Sequence, residues 1–226
     1  MLIGHMTNDN DTDFTYETRS FVNWCDDNFL VLNVDKTKEI IIDFRKKKTK
    51  PVEISLNNKI VERVHYFKYL GLVIDDELNW KENVNTVLKK LSPRMYCLRK
   101  LKSFDVNKQL LQMFYTSMIT SVLMFGCSSW GDNINKQDKN RLDKVIKKAS
   151  NVIGNKQSDF DTLLRQRDTT KTKQIIHDQT HPLHNEFESR LIRRSGRYRL
   201  PRSKTDRYQR SYIPRSIKYL NNSFKR

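Results

Sequence analysis

The stretch "VLNVDKTKEIIIDF", Val31 to Phe44, sets Lys36 and Lys38 directly before a run of apolar residues. A cation at the mouth of a strand can steady a phosphate or hand a proton to a leaving oxygen. The same residues have a plainer use, because Asn33, Lys36 and Thr37 suit the cap of a turn that opens a strand. Farther on, His177, His181 and His184 follow an H-x3-H-x2-H spacing that invites a metal. Two histidines four apart share a helix face, yet Pro182 interrupts any helix through all three. With no cysteine beside them, a surface or nucleic-acid role is preferred and no metal ligands are expected. A Gly-rich phosphate loop, a G-x-S-x-G elbow and an H-E-x-x-H pair are all missing from the sequence. Cys25, Cys97 and Cys127 lack C-x-x-C spacing and read as free thiols in helices.

The elements that must position these residues follow from periodicity. "TYETRSFVNWCDDN" predicts a helix that packs Phe21, Val22 and Trp24 on a sheet. "KEIIIDF" predicts a buried strand. After "RKKKTKP", short strands are expected at Val52 to Leu56 and Ile60 to Val64 with "LNNK" as their turn, and "YFKYLGLVID" adds a strand bearing Gly71. Residues 1–78 are thus predicted as a helix followed by a short antiparallel β meander. From Asn79 the period becomes helical: Val84, Leu88, Leu91, Met95, Leu98 and Leu101 form one stripe, with Pro93 expected to bend or split the helix. A second helix, Lys108 to Phe125, is apolar on most sides and is expected at the centre of a bundle. A third, Gln137 to Ile153, completes a helical domain over 79–156. A polar helix from Asp159 to Asp178 and the histidine loop fill 157–186. Residues 187–226, with "SGRYRLPRSKTDRYQR", predict an extended, partly disordered basic arm. The fold class is α+β.

A net charge of +17 is the strongest compositional fact. From Phe187 onward there are 13 Lys and Arg against two Asp and Glu, a balance of +11 that leaves +6 for the preceding 186 residues. A polyanion is the natural partner, because each neutralised phosphate releases a counterion. Only 37% of residues are hydrophobic, mean hydropathy is -0.75, and no stretch approaches the roughly 18 apolar residues of a membrane span. No membrane partner is expected. The N-terminal "MLIGHMTNDNDTD" lacks a signal-peptide pattern, so an intracellular location, cytoplasmic or nuclear and not secreted, is expected.

Taken together, "LVLNVDKTKEIIIDF", "FKYLGLVIDDELNW", "PRMYCLRKLKSF" and "FGCSSWGD" resemble the downstream part of the reverse transcriptase of non-LTR (LINE-type) retrotransposons. "HPLHNEF" and "SGRYRLPRSKTDRYQRSYIPRSIKYLN" are similar to the region that follows the polymerase in that family. The resemblance implies that residues 1–78 end a polymerase palm with a primer-grip-like hairpin, that 79–156 are a helical thumb, and that 187–226 are a basic C-terminal arm. In the family, palm aspartates hold two divalent magnesium ions for phosphoryl transfer. "MLIGHM" resembles the strand that leaves the aromatic-Ala-Asp-Asp hairpin, so those aspartates precede the sequence and no cofactor is expected within it. Asp11, Asp13, Asp26 and Asp27 lack the paired placement on strands that could replace them.

The resemblance makes Lys36, then Lys38, vestigial candidates for the proton donor to pyrophosphate, beside the capping reading. It makes Phe67, Lys68, Tyr69, Leu70 and Gly71 the primer grip. Gly71 would admit a second backbone closely, although a strand glycine equally marks an ordinary bulge. The thumb would hold an RNA and DNA hybrid by backbone and shape. Lys144, Lys147 and Lys148 on the third helix, and Arg193, Arg194, Arg197, Arg199 and Arg202 on the arm, are the expected nucleic-acid contacts. A solvated helix face is the rival reading of the lysines.

The expected function is a fragment of an RNA-directed DNA polymerase, inactive alone, that binds template and primer without polymerising. Its partners would be nucleic acid, whether RNA, DNA or hybrid, and the missing N-terminal part of the polymerase. Two alternatives stand beside it: a freestanding nucleic-acid-binding module, and the translation of a decayed element. A third is a likeness of Asn33 to Gly71 to the N-terminal region attached to AlkB-like nucleic-acid dioxygenase and methyltransferase proteins. An AlkB-type core needs an H-x-D pair, and none of the five histidines is followed two residues later by Asp. The glycine-rich loop of a methyltransferase is also missing.

Overall fold

The computed structural model describes residues 2–4, 12–45, 53–57 and 59–223. Asp11, Val52, Asn58 and most of "RKKKTKP" fall outside the described residues. The chain forms two compact units, Met1–Leu78 and Asn79–Arg226, and is mixed α and β. Among the described residues no helix is long and apolar enough to cross a membrane.

In the first unit, α1 (Thr12–Asp27) buries Thr18 and Cys25, with Phe21 and Val22 half-buried beside them. Trp24 is 53% exposed and stacks on Phe21 at 6.1 Å, so it shields its helix neighbour and does not face a sheet as the sequence predicts. Asn33 caps a 3-10 turn, Val34–Lys36: its Oδ1 accepts the Lys36 amide at 3.0 Å, and its carbonyl accepts the Thr37 hydroxyl at 2.8 Å. Of "KEIIIDF" only β1 (Lys38–Glu39) pairs, and its partner β4 (Glu62–Arg63) runs parallel to it. Cross-strand charges hold the pairing, Lys38 with Glu62, and Arg63 with Glu39 at 2.8 Å.

The other strands are β2 (Ser55–Leu56) with β3 (Lys59–Ile60), and β5 (Tyr66–Tyr69) with β6 (Leu72–Asp75), both antiparallel. The predicted antiparallel meander is therefore replaced by three separate two-stranded pairings, one of them parallel. The β2–β3 hairpin lies between β1 and β4 in chain order, so β1 and β4 are not joined by the tight turn that would make them antiparallel. Leu70 and Gly71, at φ 47° and 87°, close β5–β6 as a two-residue loop. Two positive φ values make the I′-type turn that suits twisted strands. Gly71 is thus a turn residue and not a mid-strand bulge.

In the second unit, α2 (Lys81–Ser103) buries Val84, Val87, Leu91, Met95 and Leu98. Pro93 lies inside it, yet the helix runs unbroken. A mid-helix proline costs about 3 kcal/mol, and five buried apolar side chains at about 1.5–3 kcal/mol each outweigh it. The second helix comprises α3 (Lys108–Phe114), a π-helical turn (Tyr115–Thr120) and α4 (Ser121–Leu123). Leu111, Tyr115, Ile119 and Leu123 face the core, but Leu110, Met113 and Met118 are exposed, so this helix is not the enclosed centre that its composition predicts. Next come α5 (Cys127–Trp130) and α6 (Lys136–Ile153), whose Leu142, Ile146, Ala149 and Ile153 are buried as α6 packs on α2. Trp130 and Phe160, both fully buried, stack at 5.6 Å and join α5 to the start of α7 (Phe160–His177).

The largest departure from expectation lies in the predicted basic arm, whose described residues, 187–223, fold. After α8 (His184–Glu188), β7 (Leu191–Ile192) and β8 (Arg197–Tyr198) form a hairpin, followed by α9 (Asp206–Gln209) and α10 (Tyr212–Ser223). Ile175, Phe187 and Ile217 make a second core, flanked by Leu183, Tyr198, Tyr212 and Ile213. Pro214 falls in the first turn of α10, where no helical amide is lost. The apolar stripe of α10 overrides the surrounding arginines.

Two results are expected from local chemistry. Asp159 caps α7 by accepting the Thr162 amide at 2.8 Å, and the hydrogen bonds from Thr162 hold its carboxyl below the usual value. Asp159→Ala should cost about 1 kcal/mol in a thermal melt. Because the carboxyl is depressed in the folded chain, its contribution is complete above the ordinary carboxylate value and fades as pH falls below it. The alanine variant should lose that acid dependence. All three cysteines are free, with Cys25 and Cys127 buried and Cys97 exposed. Burial, aided by nearby Asp168, pushes the Cys127 thiol up to about 11. A thiol reagent near neutral pH should therefore modify Cys97 in the native chain and Cys127 only after unfolding.

Candidate nucleic-acid interface

The β7–β8 hairpin presents basic side chains on a fixed frame. Its four-residue loop spans Arg193 to Gly196, where the amides of Ser195 and Gly196 both bond to the Ile192 carbonyl at 3.0 and 2.9 Å, and Gly196 sits at φ 67°. Beyond the strands, the Arg199 amide bonds to the Arg190 carbonyl at 2.8 Å. The Asn221 side chain of α10 then grips Tyr198 at both backbone groups, accepting its N–H at 2.9 Å and donating to its C=O at 2.8 Å. Tyr198 points into the second core, and burial raises its hydroxyl pKa. Arg193, Arg194, Arg197, Arg199 and Arg202 are all exposed, with no carboxylate paired to any of them among the described residues.

The basic residues of α6 after its first, exposed Lys136 divide by role. Lys139 pairs with Asp161 at 2.7 Å, and Arg141 bonds to Asp138 at 2.7 Å and to Asn85 at 2.9 Å. Lys144, Lys147 and Lys148 are exposed and unpaired among the described residues. In the first unit, Lys36 is exposed and its amide serves the Asn33 cap, while Lys38 is engaged by Glu62 and by the Asp35 carbonyl at 3.1 Å. In the β5–β6 hairpin, Phe67, Lys68 and Leu70 are exposed, whereas Tyr69 and Gly71 are half-buried.

Of the three clustered histidines, His177 is exposed and the other two make local bonds. His181 Nδ1 accepts the Leu183 amide at 3.0 Å, and His184 bonds to the Ile175 carbonyl at 3.2 Å and approaches Glu188 at 3.3 Å. Among the described residues no three His, Cys, Asp or Glu gather as a metal site. Asp26 and Asp27 are exposed at the end of α1.

A family model described as "Alkylated DNA repair protein alkB homolog 8, N-terminal" matches residues 80–121. The match spans α2 and the following helix into the first residue of α4, well short of half the chain. It does not fall on Asn33 to Gly71, where the sequence suggests an AlkB-type likeness; the likeness belongs to the helical unit. No curated protein and no solved structure matches the chain.

The arrangement missing from sequence reasoning is a buried ion pair. Arg215 of α10 reaches Asp168 of α7 at 2.7 Å and donates to the Ser128 carbonyl of α5 at 2.8 Å, with side-chain exposures of 3% and 0% for the pair. Counted as a surface charge, Arg215 instead locks three helices together. The signal was present in its position among Ile213, Ser216 and Ile217, all on the buried side of an amphipathic helix.

Proposed function

We propose that the chain is a nucleic-acid-binding module that grips the phosphate backbone through its helical unit. The β7–β8 hairpin carries the reading: exposed arginines without carboxylate partners on a frame fixed by Asn221, in a chain of net charge +17. Arginine forks suit phosphate oxygens, and a backbone grip needs no base readout. The match at 80–121 supports kinship with the N-terminal region of AlkB homologue 8, without its dioxygenase chemistry, since the sequence has no H-x-D pair. Fluorescence anisotropy with a labelled duplex and an RNA–DNA hybrid tests the proposal. Affinity should fall by about a thousandfold between roughly 50 and 200 mM salt if about six phosphates are engaged. Affinity that is indifferent to salt, or no binding at low salt, overturns it.

A second reading places the residues downstream of the active site of a LINE-type reverse transcriptase. The family-ordered motifs and the exposed Phe67, Lys68 and Leu70 on a tight hairpin support it. In that setting the chain holds template and primer and does not polymerise, because no aromatic-Ala-Asp-Asp motif occurs in it. Lys36 and Lys38 would then be relics of a proton-donor loop. Primer extension on an RNA template with magnesium is the test, and synthesis by the pure chain would refute the inactive-fragment reading.

A further inference from the structure

We propose that the exposed face of α7 is a second phosphate site, which binds successive phosphates of one nucleic-acid strand. The proposal rests on the nucleic-acid reading and adds to it a surface separate from the hairpin and from α6. Thr162, Arg165, Gln166, Thr169, Thr170 and Lys173 line an open depression of about 440 Å³. At 3.6 residues per turn they fall within an arc of about 140°, on the side away from the buried Leu164, Asp168 and Ile175.

The charge balance of α7 is the main argument. Its two carboxylates, Asp161 and Asp168, are each neutralised by another helix, through Lys139 at 2.7 Å and Arg215 at 2.7 Å. Its four cations, Arg165, Arg167, Lys171 and Lys173, form no ion pair among the described residues. Two of them rest on rings of α10, Arg165 at 5.4 Å from the Tyr219 centroid and Lys171 at 5.1 Å from that of Tyr212. A cation over a ring is steered without losing its charge, so Arg165 is already ordered for a ligand. Between Arg165 and Lys173 the lining is threonine and glutamine, whose hydroxyl and amide groups can bond to phosphate oxygens.

Spacing selects the ligand. Arg165 and Lys173 lie eight residues apart, about 12 Å along the helix. One phosphate cannot reach both, whereas a duplex strand presents a phosphate about every 3.4 Å of its axis.

The test uses the full chain with a labelled DNA duplex at several salt concentrations. Replacing Arg165 and Lys173 together by glutamine should reduce the slope of log affinity against log salt by about 1.8. Replacing Lys89 and Lys90 of α2, exposed and equal in charge, should leave the slope unchanged. Gln166→Ala with Thr170→Ala should weaken binding several-fold at every salt concentration without changing the slope. All replaced residues are exposed, and should the double glutamine variant fail to fold, Lys173→Gln alone should remove about 0.9 from the slope. An unaltered slope in the α7 variants, or an equal loss in the α2 pair, overturns the site and leaves the nucleic-acid reading standing. Binding of phosphatidylserine vesicles, lost in the α7 variants while the nucleic-acid slope holds, also overturns it. A wild-type chain that ignores nucleic acid at low salt overturns both.

Discussion

Arg215→Ala should lower the stability of the protein by about 3–5 kcal/mol, the usual loss when one partner of a buried ion pair is removed. The guanidinium donates to Asp168 through Nε at 2.8 Å, to the Ser128 carbonyl at 2.8 Å, and to the Arg210 carbonyl at 2.6 Å. Removing it strands a carboxylate that is 0% exposed and whose Oδ1 already lacks a hydrogen-bond partner among the described residues. The cost arises less from the lost attraction than from the charge left behind. Replacing both residues, Arg215→Met with Asp168→Leu, should therefore recover most of the loss. Urea unfolding followed by tryptophan fluorescence is suited to the measurement, since the buried Trp130 lies in α5 with Ser128. A loss below about 1 kcal/mol for the single variant, typical of surface pairs, would mean that the clamp is open in solution.

What the sequence made legible depended on how many signals agreed. In α2 the apolar stripe runs through Val84, Leu91, Met95 and Leu98, and even Pro93 does not disturb it. The α6 stripe of Leu142, Ile146, Ala149 and Ile153 is equally plain, with Asn135 as its cap and Gly154 as its end. The first unit was less legible because its strands are only two to four residues long. A run such as "KEIIIDF" has the composition of a strand, but pairing is decided by partners distant in the chain. In the C-terminal region composition misled. Thirteen basic residues suggest disorder, yet Tyr212, Ile213, Ile217 and Leu220 already trace a helical stripe with enough apolar area to fold the segment. The candidate contacts Arg193, Arg194 and Arg197 were visible as charge, whereas the frame that orders them, from Asn221 to Tyr198, is a contact 23 residues apart that no local pattern encodes.

That frame decides how the nucleic-acid proposal must be tested. Deleting residues 187–226 would remove charge, but it would also remove Phe187, Ile217 and Arg215 from buried positions, so any lost affinity could reflect unfolding. Replacing Arg193, Arg194 and Arg197 by glutamine alters exposed side chains only. Three fewer phosphate contacts should reduce the salt slope by about 2.7 and weaken duplex binding by two to three orders of magnitude near 0.1 M salt, as roughly 0.9 counterion is released per phosphate. Lysine in the same three places should keep the slope but lose part of the affinity, because an ammonium cannot form the two-pronged bond of a guanidinium. Asn221→Ala is the sharper probe: it removes no charge, yet frees the Tyr198 backbone from α10. If the hairpin acts as a pre-ordered surface, that variant should bind several-fold more weakly with an unchanged slope, since ordering the loop then falls to the binding step. Should the glutamine variant lose affinity while Asn221→Ala binds like the parent chain, the arginines act only as a diffuse charge and the geometry of the hairpin plays no part in recognition.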